Sequence, residues 1–532
     1  MPNNKFKAHL NRCLIIAAAC FVVYSYSLKG GFLWDDETLI LNNASLRSNS
    51  LFSLFLRPLS SEFSAYYRPL QMLSYKLDYL VWGLNPFGFH LSSIIIHILN
   101  SLLVYAVVFI IGANLGTAFL TGLVFSIHPL FSEPVNYISS RPDLLLGFFL
   151  LLALIFYLKK KANFYSCKYF YISLGCFLAA ILSKETALIF PLLLLAYAYI
   201  TGREEKKSLV FYCVVAVLYI LIRAFLLPGH QRAVANYQFA PLVLTDITVI
   251  ATYLRLIFLP FGLHKNWVLP VINSTADWRL VFSFLTLAAI VVFCRLTWKR
   301  NKLFTFGALW FFICLSPTLN LVLFPLLGLA QSFGKVVFSE AWAYFASIGI
   351  ILAIFSLAKR TELRPMSRVL YVIFALIISF YSALTIKQNR LWAGDAVYFY
   401  SDLLRYHPFN AVVRYNLANA YSELGRYDKA IEEYKIALAL KPNHLYARNN
   451  LCDALMRSGK LDEAIAECKE VIKAAPNLYK AYYNLGKAYF QKGSYRESLE
   501  AYEKALELEP NFKEALQGWE LARQKLLPAD KD

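Results

Sequence analysis

The feature that most constrains this chain is a succession of apolar stretches of membrane-crossing length, separated by short basic loops. The stretches lie at about 12–28, 90–111, 115–130, 143–158, 168–182, 185–200, 208–227, 243–260, 280–296, 303–320, 339–358 and 368–386. A perpendicular helix needs about 20 residues to cross the hydrocarbon layer, so the shorter ones must extend into flanking polar sequence. The 532 residues are 58% hydrophobic and 16% charged, against roughly 25% charged in an ordinary soluble domain. A polytopic membrane protein follows. The formal charge of +19 sits largely in the loops at 159–161, 203–207, 295–302 and 359–368. That pattern orients a multi-pass protein and requires no nucleic-acid partner.

Loop charge also predicts sidedness. Basic loops face the cytoplasm, and the N-terminus, with Lys5, Lys7 and Arg12, joins them. Three candidates then fall between the clusters at 203–207 and 295–302, where an even number is required. The weakest is 243–260, which contains Thr245, Asp246, Thr248, Thr252 and Arg255, and it reads as a helix in the outer interface. Eleven spans remain, with everything after 387 outside, and 321–329 dips without crossing. The first span lacks a small-x-small cleavage site and reads as an uncleaved anchor. Residues 31–89 form an outer loop, and its run through Tyr75, Leu77, Tyr79, Leu80 and Trp82 predicts an amphipathic interfacial helix. The nine cysteines show no CxxC or His-rich spacing and read as small buried hydrophobes, suggesting neither a zinc site nor a disulfide framework.

From His407 the composition turns charged and helix-favouring. Pro408, Pro442, Pro476 and Pro510 recur every 34 residues, with Gly425, Gly459 and Gly493 at one turn position. This matches the tetratricopeptide repeat (TPR) in period and small-residue positions. Three repeats and a final helix at about 511–526 predict a short α-solenoid. Its concave face offers Asn416, Asn419, Asn450, Asn484 and Lys487 either to a peptide partner or to packing between the helices. The expected domains are 1–387 in the membrane, a linker at 388–407 and the repeats at 408–527.

Unusual charges gather on the outer side. Asp35, Asp36 and Glu37 follow the first span, Glu133 lies after His128-Pro129, and Arg141-Pro142-Asp143 opens the next segment. Lys184-Glu185 fills a short outer connection, Glu340 begins a later span, and His90 and His97 share a helix face. Charges beside apolar sequence are costly unless they are solvated, paired or functional. Asp35 and its neighbours could mark a solvated helix end, and Lys184/Glu185 a private salt bridge. Their collection at one depth points instead to a site for something charged.

The combination resembles the transmembrane and TPR-containing protein O-mannosyltransferases, membrane glycosyltransferases of the GT-C fold. The resemblance runs through Trp34-Asp35-Asp36, Tyr67-Arg68-Pro69-Leu70, Phe89-His90 with His97 and Asn100, and His128-Pro129 with Glu133, Arg141 and Asp143. It continues through Lys184-Glu185, Ser316-Pro317 with Asn320, and Asn389-Arg390-Leu391-Trp392. It implies an all-α polytopic GT-C core with an inverting transfer of a hexose, mannose in the family, from a polyprenyl-phosphate donor to hydroxyls of exported proteins or peptides. In that reading Asp35, Asp36 and Glu133 are catalytic, with Asp35 the base. Arg68, Arg141 and Lys184 hold the donor phosphate, while Asp143, Glu185, His90, His97 and Glu340 support them. Paired acids could bind a divalent metal, but the resemblance implies a metal-independent reaction without a cofactor. Two other outcomes are a lipid- or glycan-modifying transferase whose repeats recruit a partner, and a non-catalytic scaffold on a degenerate core. The chain departs from the family at Ser339-Glu340-Ala341-Trp342, where Ala341 replaces an Arg, and at Tyr344-Phe345-Ala346-Ser347. Lys335, Arg255 or Lys265 could supply the missing cation. The setting is compatible with a bacterial inner membrane.

Overall fold

A computed structural model describes residues 2–47, 52–55, 59, 66–159, 168–202, 206–226, 239–265, 267–298, 300–319, 335–357 and 368–526. Asn320, the 321–329 stretch and parts of the basic loops lie outside them. The chain divides into Met1–Gly394 and Asp395–Asp532. The stretch expected as a linker is helical on both sides of that division.

In the first unit the helices are α1 Pro2–Tyr24, α2 Pro69–Trp82, α3 Pro86–Ile110, α4 Leu115–Ile127, α5 Arg141–Lys159, α6 Lys168–Ser183 and α7 Phe190–Thr201. They continue with α8 Lys206–Leu226, α9 Phe239–Phe258, α10 Trp278–Thr297, α11 Lys302–Leu315, α12 Tyr344–Ser356 and α13 Arg368–Trp392. Among the described residues seven helices are long and apolar enough to cross a membrane, or eight if the pair bent by 49° at His128 is one span. Four shorter apolar helices, Lys168–Ser183, Glu185–Thr201, Lys302–Thr318 and Glu340–Ser356, accompany them. The structure thus gives full-length and short apolar helices rather than eleven equivalent spans. Ala240–Phe258 is among the full-length ones, although its polar residues suggested an interfacial position.

Helix α2 buries Met72 and Tyr75 but leaves Leu77, Leu80 and Val81 exposed, the apolar edge expected of a helix lying at an interface. Helices α11 and α12 meet backbone to backbone. A Cβ on Gly307 would lie 2.3 Å from the Gly349 carbonyl oxygen, so only glycine permits this crossing. Two short strands, β1 Trp267–Pro270 and β2 Lys335–Phe338, pair antiparallel with Trp267 opposite Phe338. They are a small addition to the expected all-α architecture, formed where aromatic and β-branched residues face each other.

In the second unit, α14 Ala396–Tyr406 precedes the hairpins α15 Ala411–Glu423 with α16 Tyr427–Leu440, α17 Leu445–Arg457 with α18 Leu461–Ala474, and α19 Tyr479–Lys492 with α20 Tyr495–Leu508; α21 Lys513–Leu526 closes the array. Gly425, Gly459 and Gly493 adopt φ of 70°, 80° and 84°, the left-handed turn that ends the first helix of each repeat. Small residues at the crossings, such as Ala430, Ala464 and Ser498, are fully buried. The cysteine expectation is corrected here: Cys452 and Cys468 form a disulfide between α17 and α18. The two residues are 16 apart on separate helices, so no compact spacing motif announced them.

Candidate active site

The site begins with backbone strain. Trp34 has φ of 55° and is the one non-glycine among the described residues with positive φ, a conformation that costs energy and concentrates at functional positions. The turn separates the two neighbouring acids. Asp36, 1% exposed, accepts from the Leu33 amide at 3.1 Å, from the Ser139 amide at 2.8 Å and from the Ser139 hydroxyl. Burial pushes its carboxyl up to about 7 against those three donors. Asp35 faces the other way, into a cavity, and its amide donates to the Tyr137 hydroxyl at 3.1 Å. The consecutive acids therefore do different work: Asp36 ties the 33–37 turn to the 137–140 loop and lies outside the cavity lining, and Asp35 lines it.

The cavity has a volume of about 310 Å³. Helix breaks build it. The chain leaves α4 at His128-Pro129, where the His128 ring accepts from the Leu130 amide and meets the Ile257 carbonyl at 2.8 Å. This sets Glu133 inside, 1% exposed. Glu133 accepts from the Ser339 hydroxyl at 2.9 Å and the Ala341 amide at 3.2 Å, and pairs with Lys265 at 3.3 Å. The Lys265 ammonium also lies 3.7 Å from the centre of the Tyr137 ring. Of the cations proposed to stand in for the missing Arg, Lys265 lines the cavity, as does Ala341, and the Lys335 side chain lies outside the described residues. Arg255 instead lies over the Trp267 ring at 5.6 Å.

Opposite, Arg68 grips Glu185 with two hydrogen bonds of 2.9 and 2.5 Å, and Lys184 pairs with Asp143 at 2.6 Å. All four line the cavity. The acids thus orient the cations, as expected of Asp143 and Glu185, and each cation keeps further N–H donors for a ligand.

Other expected site residues lie elsewhere. Arg141 is corrected: it does not line the cavity, its side chain is fully buried, and its donors are spent on Asp78 at 2.5 Å and the Phe89 carbonyl at 2.7 Å. Its guanidinium also covers the Tyr75 ring at 5.1 Å, so it locks α2, α3 and α5 together and has no face left for a phosphate. His97 sits in a buried aromatic cluster and meets the Tyr344 hydroxyl at 2.7 Å, and His90 packs against Gly30 and the Gly31 carbonyl. Glu340 accepts from the His264 amide at 2.7 Å and the Trp267 indole at 3.0 Å, holding β1 behind the cavity wall. None of the three lines it.

Two contributors were missed. Tyr137 bridges Asp35 and Lys265, and its ring stacks on Trp392 at 5.8 Å and 28°. Trp392 had been noted only as part of a linker motif, and nothing local marks Tyr137 as special among 35 tyrosines. In the repeats, Asn419 accepts from Tyr434 at 2.6 Å and Asn450 at 3.0 Å, Asn484 bonds Asn449 at 3.2 Å, and Lys487 pairs with Asp453 at 3.2 Å. These side chains serve packing between helices. Asn416 is half-buried.

Comparison with known proteins follows the same division. Tetratricopeptide repeat models match residues 415–479 and 479–512. Protein O-mannosyl-transferase TMTC1 of Homo sapiens is 27% identical over 80% of this chain and 55% of its own length. TMTC4 of Homo sapiens is 24% identical over 79% and 65%, and Tmtc2 of Drosophila melanogaster 29% over 50% and 32%. The chain spans about half the length of the first of these curated relatives. Among solved structures, the first TPR of Spaghetti (RPAP3) bound to an HSP90 peptide is 31% identical over 22% of this chain and 93% of that one, with a TM-score of 0.22. With a membrane unit, a repeat unit and a likeness to the transferases that covers four-fifths of its length, this chain is a transmembrane, TPR-containing relative of the protein O-mannosyl-transferases, of the GT-C type.

Proposed function

We propose that the chain transfers a hexose, most closely mannose, from a polyprenyl-phosphate donor to hydroxyls of exported proteins or peptides, on the extracytoplasmic side and with inversion. The observation that carries this reading is one cavity that combines Asp35 with Arg68, Lys184 and Lys265. Asp35 takes the proton of the acceptor hydroxyl as its oxygen bonds to the anomeric carbon. The bond from that carbon to the phosphate oxygen breaks, the electron pair stays on the phosphate, and the cations hold the charge that develops there. A single displacement inverts the centre. Glu133, already engaged by Lys265 and Ser339, orients rather than accepts the proton.

Sidedness is supported by loop charge, and α13 leaves the first unit at Trp392 beside the cavity-lining Tyr137. The repeats follow outside the membrane and bind acceptor or partner. A disulfide in them fits an oxidising compartment. The test is transfer by purified protein from polyprenyl-phosphate hexoses to exported acceptors. Asp35→Asn is expected to lose about 10²–10⁴-fold in kcat, the usual worth of a general base. Equal transfer by both proteins removes Asp35 from the role, and no transfer from any such donor removes the reading.

A further inference from the structure

The helices that carry the active cavity at one end enclose a second cavity at the other. Helix α4 leads toward Glu133, α7 follows Glu185, α11 leads to Pro317 and α12 follows Ser339. The opposite ends of these four, with the close of α3, surround a space of about 640 Å³. Helix α11 has 14 residues, about 21 Å at 1.5 Å per residue, so the two cavities lie at opposite ends of a helix somewhat shorter than the roughly 30 Å membrane core.

The lining of this second cavity is chemically one-sided. Among the described residues, Arg300 and Lys302 are the charged ones that line it, no carboxylate does, and neither cation makes an ion pair. Two helices also begin here. Asn114 accepts from the Thr117 amide at 2.8 Å and Asn301 from the Phe304 amide at 3.1 Å, while α3, α7 and α12 end here, so opposing helix dipoles offset one another and the two side chains supply the positive charge. Part of the remaining wall is apolar, through Ile111, Ile200, Leu303, Phe306 and Leu357, and the rest is polar but uncharged, through Asn114, Thr117, Thr201, Asn301 and Ser356. A merely solvated basic patch would need neither the recess nor that wall. A free anion would use the cations and waste the apolar surface.

We propose that this cavity binds an anionic phospholipid of the leaflet on the basic-loop side, with the phosphate on Arg300 and Lys302 and the first part of the acyl chains along the apolar wall. The site is separate from the donor cavity and does not depend on the transferase reading. Bound lipid ties together the ends of α3, α4, α7, α11 and α12, the last four of which lead into or out of the catalytic cavity at their other ends.

The test uses full-length protein in phosphatidylcholine nanodiscs with and without phosphatidylglycerol. Lipid retained after release into the gas phase is counted by native mass spectrometry, and the thermal midpoint is read in parallel. The wild type is expected to retain phosphatidylglycerol over phosphatidylcholine and to melt higher in its presence. The Arg300→Gln/Lys302→Gln double variant is expected to lose that preference by on the order of tenfold or more while melting like the wild type in phosphatidylcholine alone. Should the double variant melt low there, Arg300→Gln and Lys302→Gln are read singly. Arg295→Gln, on the same membrane face but outside the cavity, keeps the preference. Equal retention by wild type and double variant overturns the proposal, as does an equal loss in Arg295→Gln. Full protection by glycerol 3-phosphate without lipid overturns it in favour of a free phosphate ester.

Discussion

Burial decides what each charged residue can do. Asp36 is buried with its oxygens committed to Ser139 and Leu33, and its carboxyl is held near 7 by desolvation. The folded protein therefore keeps a proton there that the unfolded chain, with an ordinary carboxyl near 3.9, has released. Folded protein binds more protons between about pH 4 and 7, so stability from this group is fully present below that window and is lost as pH rises through it. The thermal midpoint of the wild type should fall relative to Asp36→Asn between pH 4.5 and 7.5; parallel curves would show that Asp36 does not titrate in this range. Arg141 poses the opposite case. Arg141→Met strands Asp78 without its partner and should cost about 3–5 kcal/mol, seen as a large drop in folded yield and melting temperature. Lys265→Met also removes the cation of a buried carboxylate, but Glu133 keeps two donors, Ser339 and the Ala341 amide, so it should lose less stability than Arg141→Met, while its donor KM rises severalfold. If instead Lys265→Met unfolds and Arg141→Met stays folded with weak donor binding, the two roles are reversed.

At the scale of elements, helix ends set the geometry of the site. Helix α13 carries polar residues that bind to broken backbone: Thr385 donates to the Ile127 carbonyl at 2.7 Å, and Asn389 joins Asn136 at 2.6 Å and the Val23 carbonyl at 2.9 Å. Its last residue, Trp392, 5% exposed, backs the Tyr137 ring and so fixes the phenol beside Asp35. Trp392→Ala should reduce kcat on the order of 10- to 100-fold, the scale of a misplaced catalytic group, with donor KM little changed and most of the rate restored by Trp392→Phe. A pure loss of stability would lower active fraction and leave kcat per folded molecule intact. Sequence pattern could find the apolar segments, the 34-residue repeat and Asp35, because periodicity and the cost of acids beside a membrane are local signals. It could not assign Arg141, whose partner Asp78 lies 63 residues away on α2. It likewise ranked Lys265 no higher than Arg255, since only the folded loop shows which cation reaches Glu133. Two adjacent acids look equivalent until the left-handed turn at Trp34 points them apart.

Across the whole molecule, sidedness ties chemistry to compartment, and the cysteines offer a direct reading of it. Among the described residues, Cys13, Cys20, Cys176, Cys213, Cys294 and Cys314 are free in the first unit, whereas Cys452 and Cys468 are joined in the second. Both members of the pair are fully buried, and the bond clips the two helices of the middle repeat. A solenoid this short draws its stability from nearest-neighbour contacts, so weakening the middle repeat weakens both flanks. Closing a loop of this length is worth about 3 kcal/mol in the chain-entropy account, and Cys452→Ala/Cys468→Ala should lower the melting temperature of the repeat unit accordingly. The bond persists only where the compartment is oxidising. Membranes collected under an alkylating agent and without reductant should then yield a repeat peptide with both thiols unmodified and two hydrogen masses lighter than the reduced form. Alkylated Cys452 and Cys468 in denatured but unreduced protein would place the repeats in a reducing compartment. The eleven-span orientation would fall with that result, and with it the claim that acceptors reach Asp35 from outside.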